Sequence, residues 1–311
     1  PSFDRLVPAF TNAGIKHRHS VVPFDWFEQP HGWTERNAAY LDGATALFEA
    51  AARVALEAAG LEAAEVDTIV TVSSSGIATP TLEARAARAL GFRVNVHRVP
   101  VFGLGCAGGV TGLAVARRLA AAAPSSRVLM VAVECCTLSF RMESPGKADL
   151  IATALFGDGA AAAVLSAGPG GGPRIGEGQG QMWPDTLDIM GWSVDETGLG
   201  VIFDRAIPGF AAGHLRPALD TMLGAAGTDL AGLDRLVCHP GGTKVVEAIE
   251  AAADLEPGTL AAEREVLRVA GNMSAPTVLF VLQRVLAEGA RGRMAMLALG
   301  PGFTASLVPV E

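Results

Sequence analysis

At 311 residues, 50% of them hydrophobic, the chain can bury a large core as one large domain or two ordinary ones, which excludes a disordered or fibrous protein. The formal net charge of −8 has no basic run to offset it, Arg117-Arg118 being the only adjacent basic pair, and this argues against nucleic acid as a partner. Four cysteines without zinc-type spacing point to a reduced, cytosolic setting, and no apolar window approaches the roughly 20 residues of a bilayer span, so neither a metal site nor membrane insertion is expected.

In chain order, apolar spacing predicts a helix over 41–59, a buried strand over 67–72, helices over 81–90 and 108–122, and buried strands over 127–133 and 160–165. Gly168-Pro-Gly-Gly-Gly-Pro173 then reads as a linker. Beyond it the pattern predicts a strand over 235–238, helices over 243–253 and 275–288, and a strand over 293–299. Short strands that are apolar throughout, alternating with helices, imply an α/β fold whose sheets are covered on both sides. The expected halves are residues 1–167, with the cysteine discussed next, and 174–311.

The halves repeat one plan. Asp67 opens a strand ahead of Cys106, Asp234 opens one ahead of Asn272, and the two intervals agree to within one residue. The intervals from Cys106 to Val128 and from Asn272 to Met294 are equal, each running through a helix into an apolar strand. A glycine-framed turn, Gly157-Asp-Gly159 or Gly300-Pro-Gly302, and another apolar strand follow in each half. Duplication predicts that Cys106 and Asn272 face each other across a pseudo-twofold axis.

Cys106, in Phe102-Gly-Leu-Gly-Cys-Ala-Gly-Gly109, falls between an apolar strand and a helix. Unpaired amides at the helix start favour a thiolate and the glycines open the sulfur to a substrate, so it reads as a nucleophile rather than a small core residue. His239 ends Leu236-Val-Cys-His and precedes Pro240-Gly241-Gly242, which leaves its imidazole at the C-terminal edge of a strand, where open α/β sheets bind ligands. There it can polarise a thioester oxygen or pair with the thiolate. Asn272, in Gly271-Asn-Met-Ser274, has a plain reading as a cap or turn residue. Its relation to Cys106 points instead to an amide donor that, beside an imidazole, stabilises an enolate oxygen without activating water.

Five segments, Gly105-Cys-Ala-Gly-Gly109, Ala154-Leu-Phe-Gly-Asp-Gly-Ala-Ala161, Cys238-His-Pro-Gly-Gly242, Gly271-Asn-Met-Ser274 and Gly300-Pro-Gly-Phe-Thr304, resemble in order and spacing the signature set of the type III polyketide synthases, the chalcone synthase-like enzymes. The resemblance implies a thiolase-like αβαβα layered sandwich of two pseudo-duplicated halves, a homodimer, and a triad of Cys106, His239 and Asn272. By that resemblance Cys106 takes an acyl starter from its coenzyme A thioester. His239 and Asn272 then hold the carbonyl of malonyl-CoA as it loses carbon dioxide and attacks, and the chain cyclises to a pyrone- or resorcinol-type product. No metal or redox cofactor is implied. Phe156 resembles the gatekeeper between the coenzyme A tunnel and the cavity, and Gly300, Pro301, Gly302 and Phe303 a stretch of cavity wall whose missing side chains leave room for the growing chain. Arg5, Lys16, Arg18, Gly242 and Lys244 are candidates for holding coenzyme A, with solvated surface charge the plain alternative for the basic N-terminal residues.

Several positions depart from the plant pattern. Val201 stands where the plant enzymes have a second gatekeeper phenylalanine, Trp192 where they have glycine, and Cys136, Ser139 and Thr79 fill further pocket positions, Thr79 by reaching across the dimer. Met190-Gly-Trp192 and the paired Cys135-Cys136 are similar to bacterial members, including those that make alkylpyrones and alkylresorcinols. Relatives begin some tens of residues earlier, so a preceding segment is expected. A ketoacyl-ACP synthase III-like enzyme, limited to one condensation, is the nearest alternative. A hydroxymethylglutaryl-CoA synthase-like enzyme needs a general-acid glutamate, for which neither Glu134 nor Glu143 has the sequence context. A catalytically idle acyl-binding protein of the same fold is the alternative from another class.

Overall fold

In the computed structural model, which describes residues 7–141, 146–168, 170–204 and 206–311, the first half builds α1 (Val7–Ala13), α2 (Trp33–Ala59), β1 (Thr68–Val72), α3 (Leu82–Leu90), β2 (His97–Val101), α4 (Gly108–Ala122), β3 (Arg127–Cys135), α5 (Lys147–Leu155) and β4 (Asp158–Ser166). The second builds β5 (Gln179–Met182), the hairpin β6 (Met190–Asp195) and β7 (Gly198–Phe203), α6 (Ile207–Ala225), β8 (Arg235–Cys238), α7 (Thr243–Ala252), α8 (Ala261–Ala270), α9 (Thr277–Ala287), β9 (Met294–Gly300) and β10 (Thr304–Val310). One sheet runs β2-β1-β3-β4 and the other β5-β10-β9-β8. β1 is parallel to β3 as β8 is to β9, and β3 and β9 each pair antiparallel with the strand that follows. α4 and α9 fill the layer between the sheets, α2 and α3 cover the outer face of the first, and α6 and α7 that of the second. The result is the layered αβαβα sandwich.

Burial on both faces explains the apolar runs. In β3, Val128, Met130 and Ala132 enter the middle layer, while Leu129, Val131, Val133 and Cys135 enter the core beneath α2 and α3. β9 divides in the same way, with Met294, Met296 and Ala298 inward and Ala295, Leu297 and Leu299 outward. A strand wet on neither face has no polar position to alternate with, and each buried Val or Leu contributes roughly 1.5–3 kcal/mol. The same period of two carries Glu134, beyond Ala132, and His239, beyond Val237, toward the middle layer at the strand ends.

The starts of α4 and α9 meet at the pseudo-twofold axis. A Cβ on Gly109 would lie 2.2 Å from the Ala275 carbonyl oxygen, and one on Gly108 3.2 Å from the Ala275 Cβ. The repeat is not complete: β1 pairs on its outer side with β2, whereas among the described residues β8 has no outer partner and the second sheet gains β5 beside β10. α2 starts at Trp33 rather than residue 41, its preceding Gly32 N–H held by the Glu35 carboxylate at 2.7 Å. α9 starts at Thr277 rather than 275, behind Pro276. Apolar spacing does not reveal α1, α5, α6, α8, β5 or the β6–β7 hairpin, and the strand expected ahead of Cys106 is β2, which is largely exposed rather than apolar. The glycine-rich 168–173 stretch falls in the loop between β4 and β5, and no helix among the described residues is long and apolar enough to cross a membrane.

Candidate active site

Beyond β2 the chain turns through Gly103 and Gly105, whose φ values of 87° and 46° lie in the left-handed region that glycine tolerates, into a short turn at Gly105–Ala107 that opens α4. Ser74 Oγ accepts from the Gly103 and Gly105 N–H groups at 3.1 and 3.3 Å. The turn presents Cys106, partly exposed, to a cavity. Burial pushes the Cys106 thiol up to about 11, opposed by hydrogen bonds from Ser274 and Asn272 and reinforced by the charge of Glu134. Dehydration thus works against the advantage expected of the helix start.

His239 continues β8 against β9, its N–H donating to the Leu297 carbonyl at 2.8 Å. The residue is 3% exposed and neither ring nitrogen has a hydrogen-bond partner. Burial drives the imidazole down to about 3, which disfavours its charged form. Two buried ring nitrogens without a partner are costly, and mark a place that a ligand can complete.

Asn272 is clamped by its backbone: its N–H donates to Leu155 O at 2.8 Å and its carbonyl accepts from Gly157 N–H at 3.0 Å. Its Oδ1 accepts from Ser274 N–H at 2.8 Å, and its Nδ2 donates to the Gly241 carbonyl at 3.2 Å, in the turn that follows His239. The sulfur, the carboxamide and the turn carrying the imidazole therefore meet at one point, at the facing starts of α4 and α9.

Phe156, Trp192, Val201, Cys136 and Pro301 line the cavity. The Phe156 and Trp192 rings meet edge-on at 6.1 Å, and Trp192 pairs with Val201 across the β6–β7 hairpin. Other expectations are corrected. Ser139 spends its hydroxyl on the Cys136 carbonyl at 2.7 Å and faces an adjoining crevice instead. Thr79, expected to act across the dimer rather than in its own chain, is exposed ahead of α3 and is absent from the cavity wall of its own chain, as that expectation requires. Of the 300–303 stretch only Pro301 faces the cavity. The missing side chain of Gly300 makes room for the cysteine turn, since a Cβ there would lie 2.6 Å from the Ala107 Cβ and 2.7 Å from Leu104 O. Gly302, with φ 64°, turns the chain, and Phe303 is fully buried on the outer side, 4.6 Å from the Phe210 ring centroid.

Among the coenzyme A candidates, Arg5 lies outside the described residues. Lys16 and Lys244 are both exposed, on segments joined by Thr243 Oγ1, which donates to Ala13 O at 3.2 Å, and Gly242 precedes the first turn of α7. Arg18 departs from the expectation, because its guanidinium is committed to the carbonyls of Thr153 and, at 3.0 Å, Phe156.

The residue that sequence reasoning passed over is Glu134. It is 1% exposed, lines the cavity with Cys106, and accepts from Ser74 N–H at 2.9 Å and Ser75 Oγ at 2.6 Å. Burial pushes its carboxyl up to about 7. The signal available was an acid at an inward position of a wholly buried strand. Ser274, also on the cavity wall, was likewise passed over, and Glu143 lies outside the described residues.

Family models described as the N-terminal and C-terminal domains of chalcone and stilbene synthases match residues 30–169 and 175–308. The chain is 38% identical to a 1,3,6,8-tetrahydroxynaphthalene synthase of Streptomyces peucetius subsp. caesius, over 99% of this chain and 84% of that protein. The crystal structure of 1,3,6,8-tetrahydroxynaphthalene synthase from Streptomyces coelicolor A3(2), a bacterial type III polyketide synthase, matches with a TM-score of 0.94 at 30% identity, over 100% of this chain and 90% of that one. Germicidin synthase from Streptomyces coelicolor, also a type III polyketide synthase, matches with a TM-score of 0.92 at 26% identity, over 100% of this chain and 91% of that one.

Proposed function

Because the chain belongs to the chalcone and stilbene synthase family and is a type III polyketide synthase, an acyltransferase that condenses coenzyme A thioesters, we propose that Cys106, His239 and Asn272 divide its two chemical steps between them. Cys106 Sγ passes its proton to the neutral His239 imidazole as it attacks the starter thioester, and the proton leaves with the coenzyme A thiol. A His239 N–H and the Asn272 Nδ2–H then donate to the thioester oxygen of malonyl-CoA as carbon dioxide departs and that oxygen gathers enolate charge. The enolate carbon attacks the acyl carbonyl on Cys106, and the sulfur is released. Repetition and cyclisation give a pyrone- or resorcinol-type product. No step calls for a metal or redox group.

The observation that carries this reading is the buried imidazole with two unpartnered nitrogens, placed one turn from a carboxamide that bonds the nucleophilic thiol. Neutral donors suit an enolate and provide no base to activate water. Lys16, Lys244 and the start of α7 at Gly242 hold the phosphates of coenzyme A. The working unit is a homodimer in which Thr79 would reach the partner's cavity; what supports it is that β2 is an edge strand, paired on one side only among the described residues, and that Phe102 beside it is 61% exposed. The four free cysteines suit a cytosolic setting.

Incubation with malonyl-CoA and a panel of acyl-CoA starters, followed by mass spectrometry of the products, tests the reading. Cyclised products of more than one extension are expected, and a lone 3-ketoacyl product would assign the chain to single-condensation chemistry instead.

A further inference from the structure

The mechanism above needs a fixed carboxamide at Asn272, the gatekeeper role that the resemblance implies for Phe156 needs a fixed cavity wall, and one side chain touches the turns that carry both. α5 ends with its carbonyls facing the N-terminal segment. Ala152 O accepts from Phe156 N–H and Leu155 O from Asn272 N–H, each at 2.8 Å. Two further acceptors, Thr153 O and Phe156 O, are both taken by Arg18 Nη1. A guanidinium suits this place, because its charge meets the negative end of the helix dipole.

The stem of Arg18 also threads between the two turns. A Cβ on Gly271 would lie 2.9 Å from the Arg18 Cγ, and one on Gly157 3.6 Å from its Cβ. Between those glycines Phe156 and Asn272 pair as a parallel bridge, closed by Gly157 N–H donating to Asn272 O at 3.0 Å. The segment that carries Arg18 is itself pinned, since Asp158 N–H donates to His19 O at 2.9 Å and Asp158 Oδ2 accepts from Val21 N–H at 2.8 Å.

We propose that Arg18 is a positioning residue that locks the Phe156 wall to the Asn272 turn, so that the width of the channel and the stabilisation of the enolate are set together. The proposal rests on the roles given above to Phe156 and Asn272. It acts without contact with the reacting atoms, and it differs from a coenzyme A contact in what it makes the arginine respond to.

Two variants test it. Arg18→Met keeps the stem and removes the forked donor, and Arg18→Lys keeps the charge and a single donor group. Both are assayed with malonyl-CoA and with the malonyl thioester of N-acetylcysteamine, which has no phosphates, and both are followed by amide hydrogen exchange. Arg18→Met is expected to retain acylation of Cys106 and to lower kcat for malonyl decarboxylation about 10- to 100-fold with either thioester, leaving KM within about twofold. Exchange at Gly157 and Asn272 speeds up, and Arg18→Lys recovers part of both effects. A loss confined to the coenzyme A thioester, or a rise in KM at constant kcat, would make Arg18 a phosphate contact and overturn the proposal. Unchanged exchange at Gly157 and Asn272 overturns it as well. Because the exchange is read without turnover, a parent protein unable to decarboxylate malonyl-CoA would sink the catalytic reading alone. Should Arg18→Met fail to fold, Arg18→Lys carries the same arms.

Discussion

Loss of water disfavours charge on both Cys106 and His239, the thiol pushed up to about 11 and the imidazole down to about 3. Ser274 is the stronger of the two hydrogen-bond donors opposing that rise. Ser274→Ala should therefore raise the thiol further and slow its alkylation by iodoacetamide at pH 8 by about tenfold, the equivalent of about one pKa unit. An unchanged alkylation rate would remove Ser274 from the site. Glu134 titrates in the opposite sense to His239. Its folded value of about 7 stands above its ordinary 4.5, so the folded form binds a proton more tightly than the unfolded chain. The stability this contributes is complete below about 4.5 and lost as pH rises through 7. Between pH 5 and 8 the parent should lose on the order of 3 kcal/mol relative to Glu134→Gln, which cannot ionise. Asp158, also raised by burial, is common to both proteins and cancels in the difference. Parallel unfolding curves across that range would contradict the assignment. Cys106, His239 and Asn272 were legible because glycines frame each of them. Glu134 was not, since its meaning depends on knowing that both faces of β3 are dry, and Phe303 was misread because a tight turn hides which way the next side chain leaves.

At the scale of elements, the starts of α4 and α9 can approach only because Gly109 carries no side chain. Gly109→Ala would drive a Cβ into the Ala275 carbonyl, at 2.2 Å, which a rigid helix end cannot yield. A loss of about 1–3 kcal/mol by urea unfolding is expected, together with weaker acylation of the neighbouring cysteine. Gly213 in α6 is the converse, exposed and with nothing within 4 Å of a Cβ. Gly213→Ala should stabilise by about 0.5–1 kcal/mol, and no change or a loss in urea midpoint would contradict that. α6 also explains why part of the fold was hidden. It contains Gly209, Gly213 and Pro217, which lower helix propensity, yet Ile207, Ala211, Leu215 and Leu219 bury one face against the second sheet and hold it helical. β2, expected ahead of Cys106 as an apolar strand, differs for another reason: His97-Arg-Val-Pro-Val is an edge strand, where charge and proline are tolerated.

Across the whole molecule, the halves that the sequence separates share one middle core. Val70, Val110 and Met130 from one half interdigitate with Val237, Val278 and Met296 from the other. Calorimetric unfolding should give a single transition, and two resolved transitions would mean that the halves are independently stable. The duplication was readable from equal intervals because the α4 and α9 units that hold the site are equivalent. The edges were not readable from that repeat, since β2 and β5 are strands without counterparts in the other half. That symmetry leaves a thiol at one helix start and a carboxamide at the other, which is the basis for assigning them separate steps. The most direct test is the mass of the Cys106 peptide after exposure to an acyl-CoA, paired with carbon dioxide release from malonyl-CoA, in the parent and in Asn272→Ala. The predicted result is an acyl adduct on Cys106 in both proteins and carbon dioxide from the parent alone. Release at the parental rate from Asn272→Ala, or an adduct on a cysteine other than Cys106, would contradict it.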